Sequence, residues 1–214
     1  MADSFPNSDG RKVLIGVIDT IETHSAMLSE IDGATGDGDH GINMHKGARR
    51  TREVLGDKQV TTGEGLEMLG NVLLTEIGGA MGPLYGSFFN ELGGACQGKD
   101  VTDKATFGKM LDAAVDVMQD LGGAKVGDKT MMDALLPAHE AYKAAVDEDV
   151  DFTAALRRMA TAAEEGKEST RDLVAKLGRA SRLGERSRGT LDAGATSCSL
   201  ILKSLADTLG GAAS

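Results

Sequence analysis

The run Val13-Leu14-Ile15-Gly16-Val17-Ile18-Asp19-Thr20-Ile21-Glu22-Thr23-His24-Ser25-Ala26-Met27-Leu28-Ser29-Glu30-Ile31-Asp32-Gly33-Ala34-Thr35-Gly36-Asp37-Gly38-Asp39-His40-Gly41 begins as a helix and ends as a polar loop. Leu14, Ile18, Ile21, Leu28 and Ile31 recur at helical intervals, and Val17 and Met27 widen the same stripe, so this part is an amphipathic helix with one face turned to a core. From Asp32 to Gly41 glycine and aspartate crowd together and the periodicity stops. The scheme then repeats outward. Ile42 to Leu55 is helix-compatible until Gly56-Asp57 ends it, and a third helix is expected from about Gly65 to Ile77. Gly78 to Gly82 is irregular, and Pro83 falls in the first turn of a fourth helix, where its missing N–H is harmless.

A fifth helix is expected over Asp103 to Leu121. A sixth, capped by Thr130, should run through Tyr142 toward Val146 with a kink or break at Pro137. Residues 152 to 177 form a long helix-compatible stretch weakened in its middle by Gly166. A loop from Gly178 to Gly194 then leads to a last apolar helix holding Leu200, Ile201, Leu202 and Leu205. No segment alternates apolar and polar residues with period two, so no sheet is required and the fold is expected to be all-α, with about eight helices. Several of their connections are glycine-rich, as they would be if they converged on one ligand.

The 214 residues are expected to form one domain from residue 11 to 214, preceded by a polar segment at residues 1–10 that does not resemble a signal peptide. With aromatics at 3% and no tryptophan, the core must come mainly from Leu, Ile, Val, Ala and Met. The net charge of -10 would repel a phosphodiester backbone, which argues against nucleic acid as a partner. No apolar run is long enough to span a membrane. Cys96 and Cys198 lack zinc-type spacing and are too few for a disulfide framework, so a reducing cytoplasm is the expected compartment.

Asp32, Asp37 and Asp39 carry the sharpest chemistry. Carboxylates this close repel one another unless a cation neutralises them, and magnesium or calcium requires such oxygen ligands. An EF-hand is excluded, because Gly41 takes its third ligand position and Ala48 stands where the closing glutamate should be. Three aspartates leave coordination positions open, which suits an ion shared with a phosphate. The glycines at 78, 79 and 82, at a helix start, would let a phosphate approach backbone N–H groups. Gly122 to Thr130 nearly spells a P-loop, but Asp128 separates the second glycine from Lys129 and no strand precedes it, so a Walker A assignment fails. Arg179, Arg182, Arg186 and Arg188 reverse the local sign of an acidic chain, and arginine's planar fork suits phosphate oxygens.

Taken in order, Gly36-Asp37-Gly38-Asp39-His40-Gly41-Ile42-Asn43-Met44, Gly78-Gly79-Ala80-Met81-Gly82-Pro83-Leu84-Tyr85-Gly86, Gly127-Asp128-Lys129-Thr130-Met131 and Gly178-Arg179-Ala180 through Asp192-Ala193-Gly194-Ala195-Thr196-Ser197 resemble the L subunits of dihydroxyacetone kinases over nearly the whole chain. The resemblance implies an eight-helix antiparallel barrel with the nucleotide, ATP or ADP, on two magnesium ions at one end. It implies that Asp32, Asp37 and Asp39 hold the metal. It puts His40, Gly41, Ile42, Asn43, Ala80 and Met81 beside the phosphates, and Gly122, Met131, Arg179, Asp192, Ala193 and Gly194 at further nucleotide contacts. Arg179 is its candidate for stabilising the phosphoryl group in flight. Two departures stand out: Met81 replaces a small hydroxyl residue of bacterial subunits, and Ala193 replaces a proline, with Thr190-Leu191 in place of a more polar pair.

In that family the ketose is held by a separate K subunit, so this chain would supply half of an active site. The resemblance leaves two modes of recharging: ATP exchanged at each turnover, or a tightly held ADP rephosphorylated in place by a phosphotransferase relay protein. A nucleotide-loaded adaptor regulating a partner protein, or a phosphotransfer domain acting on another acceptor, are the competing expectations.

Overall fold

The structure is a computed structural model that describes residues 3–211, so the outermost limits expected for the polar segment and the domain, at 1–2 and 212–214, lie outside the described residues. Among the described residues there are eight α-helices: α1 Gly10–Gly33, α2 His40–Leu55, α3 Thr62–Glu76, α4 Met81–Cys96, α5 Lys104–Gly122, α6 Met132–Asp147, α7 Phe152–Ser169 and α8 Ala193–Leu209. Each packs against the next in sequence and α8 packs back on α1, which closes the ring. Short loops join all consecutive pairs but the last, so neighbours run antiparallel and the even-numbered helices all start at the same end. The expected all-α antiparallel barrel is therefore present.

Side-chain caps explain where α3, α5 and α7 begin. α3 starts on a capping box in which Thr61 accepts from the Glu64 N–H while the Glu64 carboxylate accepts from that of Thr61. Asp103 and Asp151 cap α5 and α7 in the same sense. In α1, Val13, Leu14, Val17, Ile18, Ile21 and Leu28 are buried as the stripe requires, whereas Met27 is 38% exposed. The core adds to the aliphatics nearly every aromatic ring: Tyr85, Phe88, Phe89, Phe107, Tyr142 and Phe152 are all buried.

Five details depart from the sequence reading. A two-stranded antiparallel sheet pairs β1 (Ser4–Pro6) with β2 (Val101–Asp103), too short to show alternation. Beside it Asn7 is buried, donating to the Lys99 carbonyl at 2.9 Å and accepting from Thr102 Oγ1 at 2.6 Å, so residues 4–10 are part of the packed fold. Pro137 does not break α6. The Asp133 carbonyl that its missing N–H would have engaged is instead approached by α7 at Gly166, where a Cβ would lie 2.1 Å from that oxygen. Gly166 is thus a packing requirement. Finally, the stretch read as helix to 177 leaves the α-helix after Ser169 for a 3-10 turn at Thr170–Asp172, because buried Thr170 turns its hydroxyl to the Lys167 carbonyl and accepts from the Asp192 N–H. Residues 180–187, expected as loop, are a 3-10 stretch broken at Gly184. No helix among the described residues is long and apolar enough to cross a membrane.

Candidate nucleotide and metal site

A cleft of about 430 Å³ opens at the end of the barrel where α2, α4, α6 and α8 begin. Its acidic wall is the turn from α1 into α2. The Thr35 N–H donates to the Asp32 carbonyl at 3.0 Å, Gly38 takes a left-handed φ of 75°, and the His40 N–H donates to the Asp32 carboxylate at 3.3 Å. At Gly36 a Cβ would sit 2.6 Å from the Asp32 carboxylate, so a larger residue there would push that carboxylate aside. One carboxylate oxygen from each of Asp32, Asp37 and Asp39 then falls within 4.8 Å of the others. Three anionic oxygens at that spacing fit a hard divalent cation and are mutually repulsive without one. From the opposite wall Arg179 reaches across and pairs with Asp37.

The floor is a buried polar chain. His40 Nε2 lies 2.9 Å from Ser197 Oγ, and Tyr85 Oη lies 2.5 Å from that same oxygen and 3.1 Å from the Gly194 carbonyl. The His40 and Tyr85 rings meet edge to face at 5.8 Å. Burial depresses the His40 pKa to about 4, against the opposing pull of the Asp32 charge, so the imidazole is neutral near pH 7. With Ser197 and Tyr85 it forms a fixed strut joining the N-terminal parts of α2, α4 and α8. At the same end, Asp39 and Ala80, the N-caps of α2 and α4, make no side-chain cap, and of the first α2 N–H groups the His40 one is taken by the Asp32 carboxylate.

The third wall is residues 122–132. Thr130 acts as expected at the start of α6, its hydroxyl accepting from the Met132 N–H at 3.2 Å. The buried Asp133 carboxylate completes the turn by accepting from the N–H groups of Gly127 and Thr130. Lys129 does not reach outward as a P-loop lysine would. It is 2% exposed and bonds backbone carbonyls. Leu84, Met118, Ala124, Met131, Met132 and Leu177 give the cleft an apolar side.

Of the residues singled out in the sequence, Asp32, Asp37, Asp39, His40, Asn43, Ala80, Met81, Gly122, Met131, Arg179, Asp192, Ala193 and Gly194 all line this one cleft. Gly41 and Ile42 do not. Gly41 is pressed against α1, and Ile42 is 64% exposed. Tyr85 and Ser197 stand inside the sequence motifs, which assign them no role, and Asp133 and Met118 lie outside those motifs; for Asp133 the Thr-x-x-Asp spacing with Thr130, a helix-start signature, is the available signal.

A closed helical barrel with a cation-competent carboxylate triad at one end, uncapped helix starts around it and an arginine facing it defines a class: an all-α domain equipped for a polyphosphate held through metal. Comparison with family models narrows this, since the DAK2 domain matches residues 34–207, and the chain belongs to that family. It is 39% identical over 194 residues to the ADP-binding subunit of PEP-dependent dihydroxyacetone kinase 2 from Listeria innocua, covering 88% of each chain. With the corresponding Escherichia coli subunit it shares 36% over 191 residues, covering 88% of this chain and 90% of that one. It is 38% identical to D-erythrulose kinase of Mycolicibacterium smegmatis, but spans only 32% of that longer protein. Among solved structures, the dihydroxyacetone kinase from C. freundii in complex with AMP-PNP and Mg2+ superposes with a TM-score of 0.68 at 26% identity, over 95% of this chain and 35% of that one.

Proposed function

We propose that this chain is the nucleotide-holding subunit of a kinase for a short ketose such as dihydroxyacetone or erythrulose, donating a phosphoryl group to a substrate held by a separate K subunit. The observation that carries the reading is the convergence of Asp32, Asp37 and Asp39 on one side of a cleft and Arg179 on the other. The stand-alone relatives, of nearly the same length, are named as ADP-binding subunits, and the structural neighbour was solved with AMP-PNP and Mg2+.

In this reading the three aspartates hold two magnesium ions, which when bound would neutralise phosphate charge. The phosphates lie over the starts of α2 and α4, near His40, Asn43, Ala80 and Met81, with Gly41 and Ile42 contributing only through first-turn N–H groups. The base takes the apolar side, toward Met118, Gly122 and Met131, with Asp192, Ala193 and Gly194 beside it. Arg179, 62% exposed on its loop, is free to leave Asp37 for the phosphoryl oxygens. Transfer then needs positioning and charge neutralisation more than covalent help. The names of the relatives favour a tightly held ADP recharged by a relay protein over exchangeable ATP.

Titration calorimetry tests this directly. ADP should bind in excess magnesium and fail to bind in a chelator, and a chain that binds neither ADP nor ATP under either condition overturns the proposal. Nucleotide binding without transfer to dihydroxyacetone beside a K subunit would favour the adaptor.

A further inference from the structure

The segment from Thr170 to Thr190 carries Arg179, and a single buried group holds both of its ends. The Lys129 ammonium donates to the carbonyls of Ser187 at 2.6 Å, Thr190 at 2.7 Å and Thr170 at 2.8 Å, with Leu173 more distant at 3.2 Å. An ammonium has three protons, and the three short bonds match them. Lys129 is only 2% exposed, and all four of its acceptors are neutral carbonyls. Its backbone stands at a φ of 63°, in the left-handed region that non-glycine residues rarely adopt. A desolvated cation on a strained backbone persists only where the surroundings fix it strongly.

Above these anchor points the segment is lightly held. Ala175 N–H donates to Ser187 Oγ at 2.9 Å and Gly189 N–H to the Arg171 carbonyl at 2.8 Å, which zip the base of the loop. From Leu177 to Arg186 the bonds are local, such as Ser181 to the Gly178 carbonyl and Arg182 to that of Arg179, apart from the Arg179–Asp37 pair. Gly178 and Gly184 both take left-handed φ values there. Lys176, three residues before Arg179, is also tied to Asp128, its N–H to the carbonyl and its ammonium to the carboxylate at 3.1 Å each, so where Arg179 sits depends on the pinning of the base together with this one contact.

We infer that Lys129 is a positioning residue: its ammonium clips the two ends of the 170–190 segment together and so sets the reach of Arg179 over the carboxylate triad. The inference rests on the proposed role of Arg179 for its catalytic consequence, but not for the clip itself. Lysine is required because its protons diverge toward three carbonyls, whereas guanidinium is flat and methionine has no proton to give.

The test is Lys129→Met, which keeps length and loses the donors, assayed on the whole chain by tryptic cleavage, ADP titration in magnesium, and dihydroxyacetone phosphorylation beside a K subunit. Cleavage after Lys176, Arg179, Arg182, Arg186 and Arg188 should accelerate by about tenfold or more while the rest of the chain stays resistant and helical. Turnover should fall by roughly a hundredfold, with ADP affinity changed far less, because the arginine is misplaced and the phosphate cradle is not. Cleavage that rises equally along the chain, or not at all, overturns the clip. A loosened loop with normal turnover supports the clip and overturns the role of Arg179 instead. Should the variant fail to fold, the wild-type chain decides: the Lys129 ammonium protons should exchange with water far more slowly than those of surface lysines, and equal exchange overturns the inference.

Discussion

Asp37 faces two partners at once, the other carboxylates of its triad and the guanidinium of Arg179. Asp37→Asn should weaken magnesium-dependent ADP binding by about a hundredfold or more, since losing a ligand should cost at least as much as losing an outer-shell partner. The fold should survive, because the change relieves repulsion in the loop. Unaltered ADP affinity in magnesium, measured by calorimetry on the folded variant, sinks the metal assignment. Arg179→Lys separates binding from rate: the nucleotide should stay bound, while turnover drops because lysine restores charge but not the two-pronged geometry. Full removal of such an arginine is worth on the order of a thousandfold or more, of which lysine should recover only part; normal turnover beside the K subunit refutes the role. Asp192 supplies a pH signature. Burial pushes its carboxyl from 3.8 up to about 6, against the Ala195 N–H that it caps. A carboxyl whose folded pKa lies above its unfolded value stabilises the fold fully below the unfolded value and loses that contribution as pH rises through the folded one. Asp192→Asn keeps the cap without titrating. Relative to the variant, the wild-type chain should therefore lose at most about 3 kcal/mol between pH 4 and 7, at roughly 1.36 kcal/mol per pKa unit. Urea melts that stay parallel across this range contradict it.

Between helices, the decisive distances are backbone ones. An ideal Cβ on Gly41 would lie 1.9 Å from the Ser25 carbonyl, so only glycine lets the first turn of α2 lie against α1. Gly41→Ala should cost about 3 kcal/mol by forcing the helices apart, or roughly 6–12 °C in melting temperature for a domain of this size. ADP affinity should fall with it, because Asp39 and His40 ride on the same turn. Gly122→Ala is the contrast, with nothing within 4 Å of the added carbon, and should melt like wild type. Equal melting temperatures for the two variants would show that the close approach is not required. This scale also divides what could be read from the sequence from what could not. The α1 stripe, the Asp103–Leu121 helix span and the Asp/Gly loop are local signals and are legible as such. The His40–Ser197–Tyr85 chain joins residues 157 and 112 positions apart, and nothing in its spacing announces it. Lys129 resembled a failed phosphate loop because its acceptors are carbonyls, which any residue type supplies. The turn at Thr170 was hidden for the same reason, its partners being backbone groups of Lys167 and Asp192.

At the scale of the whole molecule, the antiparallel ring turns eight ordinary helices into an electrostatic device. Because neighbours alternate in direction, α2, α4, α6 and α8 all present their partially positive starts at one end of a chain whose net charge is -10. The Asp32–Asp37–Asp39 triad and Arg179 occupy that same end, so the charged groups facing the cleft suit phosphate and cation. Of the four histidines only His40 lines the cleft, and it is engaged with Ser197 and held neutral by burial. His139 is bonded to Asp112 and His24 to the Thr20 carbonyl. Under the proposed function, these cleft groups are engaged with the nucleotide and its metal, and the acceptor is left to the K subunit. The purified chain, loaded with magnesium and ATP or a recharged ADP, should therefore form no dihydroxyacetone phosphate. Adding a K subunit should restore turnover, in proportion to complex formed until the chain is saturated. The measurement is a coupled assay of dihydroxyacetone phosphate against K subunit concentration. Robust product at zero partner would refute the division of the active site between two chains, and would require the acceptor pocket to be sought within this barrel.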